Sequence, residues 1–319
     1  MPHQPPIPGP AAFWKHHPIA DQRAQTLVAA TLAFQRVTRS AIVRLTPAGN
    51  YQIADRGGLA YWDGDPLGRR SFRTRAVNTP ADWFRIAQHT QLTPIEQAMV
   101  AAAAAVRAAI GPTTPLLATV FSPLSQALML AGPERLAADL AAQHPALIAA
   151  LDSLQHATEQ LIAHYAQAGV DGLYLAMQHL TEHNLPRLLY RQTGLRIDDA
   201  IMQACSRFSL NILHLHGAPI HLDCLTATAL QPGSPWMIHY ELQPDNPSPE
   251  CFRAQCACPV VLGLPFARWD QPERLAQAAT AMRSRFAQAQ ALLTGPCVVP
   301  LAVTDTQIAQ WVETAHAIS

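Results

Sequence analysis

Three histidines, an aspartate and a cysteine fall within the eleven positions from His214 to Cys224 of the stretch NILHLHGAPIHLDC. Imidazole, thiol and carboxylate are the groups that hold zinc, and two neutral imidazoles plus one thiolate or carboxylate, with a fourth position open, make a catalytic site. Side chains alternate along a strand, so His214 and His216 point to one side with Leu215 opposite, as a chelating pair. The bland alternative is two imidazoles satisfied by hydrogen bonds in a polar cavity mouth. A third ligand must come from elsewhere. Cys297 in GPCVVP, read near the start of the last strand, is the first choice, and His239 and Glu241, on one face of IHYE, are the competitors. His221, Asp223 and Cys224 lie beyond Gly217 and Pro219, at the expected start of a further helix, with Asp223 as a cap or solvated residue.

Other clusters read more simply. CFRAQCAC holds Cys251, Cys256 and Cys258 but has no CxxC spacing and no second pair, so small buried thiols entering a strand are expected instead of a zinc ribbon. Residues 61–75 carry Asp63, Asp65, Arg69, Arg70, Arg73 and Arg75. They are either a recognition loop for an anionic substrate or a solvated loop with local ion pairs. Ser122 and Ser125 have no base close in sequence and no GxSxG context, and read as a helix entry.

The elements that must position these groups alternate. Strands are expected at 41–47, 116–123, 172–177, 210–216, 235–242, 258–265 and 295–300. Helices are expected from an N-cap-like Asp21, over 94–110, across 124–168, from about 196, over 272–293 and from near Thr304. Residues 50–75 read as a loop or small hairpin too polar for core. Buried apolar strands alternating with longer helices make a parallel sheet covered by helices. Seven strands with no GxGxxG or GxxxxGK[ST] loop favour a (β/α)8 TIM barrel over a nucleotide-binding sheet. In such barrels chemistry sits at the C-terminal strand ends, where HLH lies. The expected organisation is a flexible proline-rich N-terminus over 1–20 and one barrel domain over 21–319, the barrel carrying an N-terminal helical or loop extension.

Composition narrows the partners. Lys plus Arg and Asp plus Glu are both 22, giving zero formal net charge, so no basic excess exists to neutralise nucleic acid or an anionic membrane. The N-terminus lacks the pattern of a signal peptide, and six cysteines in a long chain suit reduced thiols. A cytoplasmic protein acting on a small molecule is expected.

Several segments, in order, resemble the uroporphyrinogen decarboxylase superfamily, which includes cobalamin-dependent thiol methyltransferases. They are TPLLATVFSPLSQALMLAG, HPALIAALDSLQHATEQLIAHYAQAGVDGLYLAMQ, ILHLHG, VVLGLP and GPCVVPLAVTDTQIAQWVETA. The resemblance covers nearly the whole chain and implies a (β/α)8 barrel. It implies a zinc ion on His214, His216 and Cys297, with His216 standing where the methyltransferases have cysteine. A corrinoid, carried by a partner protein, would be the methyl donor or acceptor. In the decarboxylases the first strand ends in a motif whose arginines grip substrate carboxylates. Here LTPAGNY, residues 45–51, keeps Ala48, Gly49 and Tyr51 but has Thr46 and Asn50 in place of those arginines, with Arg44 nearby. The site residues implied are Arg44, Tyr51, His239 and Glu241 for catalysis, and Gly49, Tyr51, Phe121 and Gln178 for substrate. A cofactor-free decarboxylase, with Asp55, Arg44 and Arg56 as the nearest acid and cations, is the alternative. A further alternative is a corrinoid-binding barrel without activity.

Overall fold

The computed structural model describes residues 9–225, 236–256, 258–266 and 291–317, with positions 269, 271, 273 and 277 between the last two segments. Seven strands form one parallel sheet in chain order: β1 Val43–Leu45, β2 Leu116–Phe121, β3 Gly172–Met177, β4 Asn211–Leu215, β5 Trp236–Glu241, β6 Val260–Gly263 and β7 Ala291–Thr294. β2, β3 and β4 are buried at every position, as expected of a sheet covered on both faces.

The sheet curls. Ile42, just before β1, and Leu117, Tyr174, Ile212, Met237, Val261 and Leu292, one from each of β2 to β7, pack as one cluster with Ala12 and Trp14. In a flat sheet at about 4.8 Å per strand the outer members would lie roughly 29 Å apart. The second, larger cluster fills the space between the outer strand faces and the helices.

Helix starts follow the local chemistry. Pro94–Ile110 opens with proline at its first turn and a capping box, in which Glu96 N donates to Thr93 Oγ1 and Thr93 N to Glu96 Oε2. Pro123–Ala131 repeats the proline entry behind Ser122, whose hydroxyl accepts from Ser125 N. Pro133–Ala141 and the long Pro145–Gln167 also start on proline.

Four expectations are corrected. The last strand is Ala291–Thr294 and not 295–300, so the apolar ALL assigned to the end of a helix is sheet, and Cys297 follows the C-terminal end of β7. Most of that helix, expected over 272–293, lies outside the described residues. The chain turns helical near Asp21, in a 3-10 turn over Ala20–Gln22, but the α-helix begins at Ala24 and Asp21 does not cap it, its carboxylate being held by Arg70 at 2.6 Å. Within 50–75, Tyr51, Gln52, Ile53 and Arg56 are buried, the arginine against Glu96 at 3.1 Å. At the N-terminus, Ala11 to Trp14 are buried where a flexible stretch was expected. Ala11 and Lys15 make parallel bridges to Leu293 and Val299. Ala12 N donates to Leu293 O at 3.1 Å, and Val299 N donates to Trp14 O at 2.7 Å. Phe13 stacks edge-on against Trp269, and this apolar AAFW run gains more from burial than a tail could from freedom. Among the described residues no helix is long and apolar enough to cross a membrane.

Candidate metal centre

β4 delivers His214 to the concave face of the sheet, and the chain leaves the strand so that His216 stays on that side. Cys297 arrives from the loop after β7. One ligand atom from each of these three residues lies within 4.8 Å of the others, and among the described residues this is the group of histidine, cysteine and carboxylate side chains close enough to share a metal ion. Both ring nitrogens of His214 are buried without a hydrogen-bond partner. An unpaired buried imidazole costs about 1–3 kcal/mol, and a metal ion would remove that cost.

The protonation states also suit a cation. Burial, then the neighbouring His239, His216 and Arg44 charges, holds the His214 imidazole well below its ordinary value and therefore neutral. Burial and Arg69 lower His216 in the same direction. Burial pushes the Cys297 thiol up, while Arg44 and Arg69 pull it back. The thiol would surrender its proton to a metal, so binding would release a proton and weaken as pH falls.

A cavity of about 200 Å³ opens beside the three groups, walled by Gly49, Phe72, Phe121, Met129, Gln178 and the basic residues Arg44, Arg69 and Arg70. Arg44 is 7% exposed, its guanidinium lies 3.9 Å from the Tyr174 ring centroid, and its Nη1 has no partner. Arg70 Nε and His16 Nδ1, both on the cavity wall, are likewise buried and unpartnered. His16, held neutral near pKa 3 by burial and the arginines, was missed in the sequence because it sits in a segment read as flexible.

The remaining expected residues divide. Gly49, Phe121, Gln178 and Arg44 line the cavity, whereas Tyr51 lies in the core behind it, donating from its hydroxyl to Thr119 O at 2.6 Å. His239 is fully buried and saturated: its Nδ1 accepts from the Tyr174 hydroxyl at 2.7 Å and its Nε2 donates to Gly295 O at 3.2 Å. Glu241 is half-buried at the end of β5, outside the cavity wall, and burial raises its carboxyl. Asp55 and Arg56 are committed elsewhere, to Ile95 N and to Glu96. Asp223 is exposed and pairs with Arg187 and Arg191. Cys256 and Cys258 are buried at the entry to β6, and Cys251 is exposed on the helix Pro249–Gln255.

A second constellation was invisible in sequence. Ser125 Oγ lies 3.0 Å from His179 Nδ1, and His179 Nε2 lies 2.8 Å from Asp198 Oδ2, which also accepts from the Tyr190 hydroxyl. The order matches a serine, base and carboxylate relay. All three residues are fully buried, none lines the cavity, and Ser125 Oγ already accepts from Gln178 N at 2.8 Å. The relay ties the end of β3 to two helices and exposes no nucleophile.

No protein-family model matches the chain, and no curated relative does. Solved structures do match. A methyltransferase from Methanosarcina mazei aligns over 98% of this chain and 94% of its own, with TM-score 0.77 and 13% identity. A B12-independent methionine synthase from Shewanella sp. W3-18-1, solved with selenomethionine, aligns over 98% and 97%, with TM-score 0.56 and 10% identity. What the chain shares with them is the fold, a parallel sheet curled as in an α/β barrel and covered by helices.

Proposed function

We propose that the chain is a divergent uroporphyrinogen-decarboxylase-superfamily enzyme of the methyltransferase type, with zinc held by His214, His216 and Cys297. The carrying observation is the convergence of these three groups on one cavity while both His214 nitrogens lack any other partner. The fold shared with a methyltransferase and a methionine synthase supports the reading. When bound, zinc supplies Lewis acidity that favours the deprotonated, nucleophilic form of a substrate thiol. In this reading the Ala11–Lys15 segment takes the eighth position of the barrel.

The chain's own residues do the rest. An acidic substituent of the acceptor would meet Arg44, Arg70 and His16 on the cavity wall, each of which keeps a buried polar atom without a partner. Phe72, Phe121 and Met129 keep water from the reacting atoms. A corrinoid carried by a partner protein would be the methyl donor or acceptor. Six unpaired thiols suit action in the reducing cytoplasm.

The test is elemental analysis followed by turnover. The purified protein is expected to hold about one zinc per chain, lost in Cys297→Ala, and to methylate a small acidic thiol from methylcobalamin. A metal-free protein that decarboxylates a porphyrinogen would overturn the proposal.

A further inference from the structure

His239 sits beside the proposed ligands without the freedom to become one. It is the register partner of His214 across β4 and β5, and the two rings lie 4.5 Å apart at 35°. Tyr174 from β3 covers His214 as well, at 5.1 Å and 29°, and its hydroxyl reaches past to His239 Nδ1 at 2.7 Å. The other His239 nitrogen donates to the carbonyl of Gly295, two residues before Cys297. One neutral imidazole thus grips both halves of the site, the ring of one ligand and the backbone that carries another.

The loop it grips has little room to move. A Cβ on Gly263, at the end of β6, would stand 3.0 Å from Gly295 O and 3.0 Å from Pro296 Cα. A Cβ on Gly295 would stand 2.4 Å from Phe266 Cε1. The Gly295 carbonyl is therefore packed against β6 on one side and hydrogen-bonded on the other, and the position of Cys297 depends on both.

We infer that His239 is a positioning residue of the metal centre, fixing Cys297 through the Gly295 carbonyl and His214 through ring packing. The inference rests on the metal reading of the preceding subsection. Groups that orient metal ligands typically contribute 10- to 100-fold in affinity. His239→Phe keeps a ring against His214 but cannot bond Gly295 O. Tyr174→Phe keeps all ring contacts and loses the hydroxyl that orients His239. His239→Gln retains an amide donor for Gly295 O.

The experiment titrates the full chain with cobalt(II), reading the thiolate-to-cobalt charge-transfer band, and measures zinc affinity by competition with a chromophoric chelator. The apo-protein melting temperature is followed in parallel. Relative to the natural protein, His239→Phe is expected to bind roughly 10- to 100-fold more weakly with a weakened or shifted band. His239→Gln should recover most of the affinity, and Tyr174→Phe should fall between. If His239→Phe does not fold, Tyr174→Phe and His239→Gln decide the matter by the same ordering. Equal affinity and an equal band in Tyr174→Phe and in whichever His239 variants fold would overturn this inference alone. A natural protein that takes up no cobalt would overturn the metal reading and this inference with it.

Discussion

His214, His216 and Cys297 form one polar constellation at the C-terminal strand ends, and Ser125, His179 and Asp198 form another. Residue type alone would rank the second higher, since serine, histidine and aspartate in hydrogen-bonding order resemble a nucleophilic relay. The difference lies in what is left over. In the relay the serine hydroxyl and both histidine nitrogens are already engaged, by Gln178 N and by one another; Asp198 Oδ1 alone is left without a partner, and none of the three residues lines the cavity. In the other cluster two buried nitrogens are unspent and a cavity lies against them. Unsatisfied capacity beside open space marks a site better than composition does.

The largest expected effect tests the open cluster. His214→Ala should lower zinc affinity by more than the roughly 100-fold that loss of a supporting group costs, with the melting temperature of the apo protein nearly unchanged. Isothermal titration would check it, and an unaltered affinity would put the relay and the cluster on equal footing.

His179→Ala should do the reverse. It leaves Asp198 Oδ2 with only the Tyr190 hydroxyl, and removing the partner of a buried hydrogen-bonded group costs about 1–3 kcal/mol, more for a carboxylate. Chemical denaturation should show that loss while zinc stoichiometry in the folded fraction stays the same. Ser125→Ala comes next: loss of hydrogen bonds from one buried hydroxyl should cost about 1–3 kcal/mol and leave turnover within a few-fold. An abolished activity in a stably folded Ser125→Ala protein would instead make the relay catalytic.

A pH dependence of the apo protein is also expected. His16 and His239 are both held near pKa 3 by burial, against 6.5 for an ordinary histidine. A depressed folded value means the unfolded chain takes up protons first. Their contribution to stability is complete above about pH 6.5 and is lost as pH falls from there toward 3. Urea midpoints across that range should fall for the natural protein and fall less for His16→Gln.

Much of the frame was legible in sequence, because apolar runs such as GLYLAM and the proline-opened helix at 94–110 declare themselves locally. Strand alternation placed His214 and His216 on one side, and the resemblance to a known superfamily supplied Cys297. What failed has a common cause. AAFW and ALLT are short apolar pieces whose identity depends on each other, since the bridges between them form only when the sheet curls. His16 and the role of His239 were hidden for the same reason, as their partners lie 28 and 56 residues away or more, at Arg44 and Gly295. His179 likewise meets Ser125 across 54 residues. Contacts of that span carry no periodic signal.

The central claim is that His214, His216 and Cys297 hold one metal ion, and X-ray absorption at the zinc edge of the zinc-loaded protein tests it most directly. The account predicts a single sulfur scatterer at about 2.3 Å with nitrogen or oxygen scatterers at about 2.0–2.1 Å, the sulfur vanishing in Cys297→Ser. A shell of nitrogen and oxygen alone in the natural protein would contradict it.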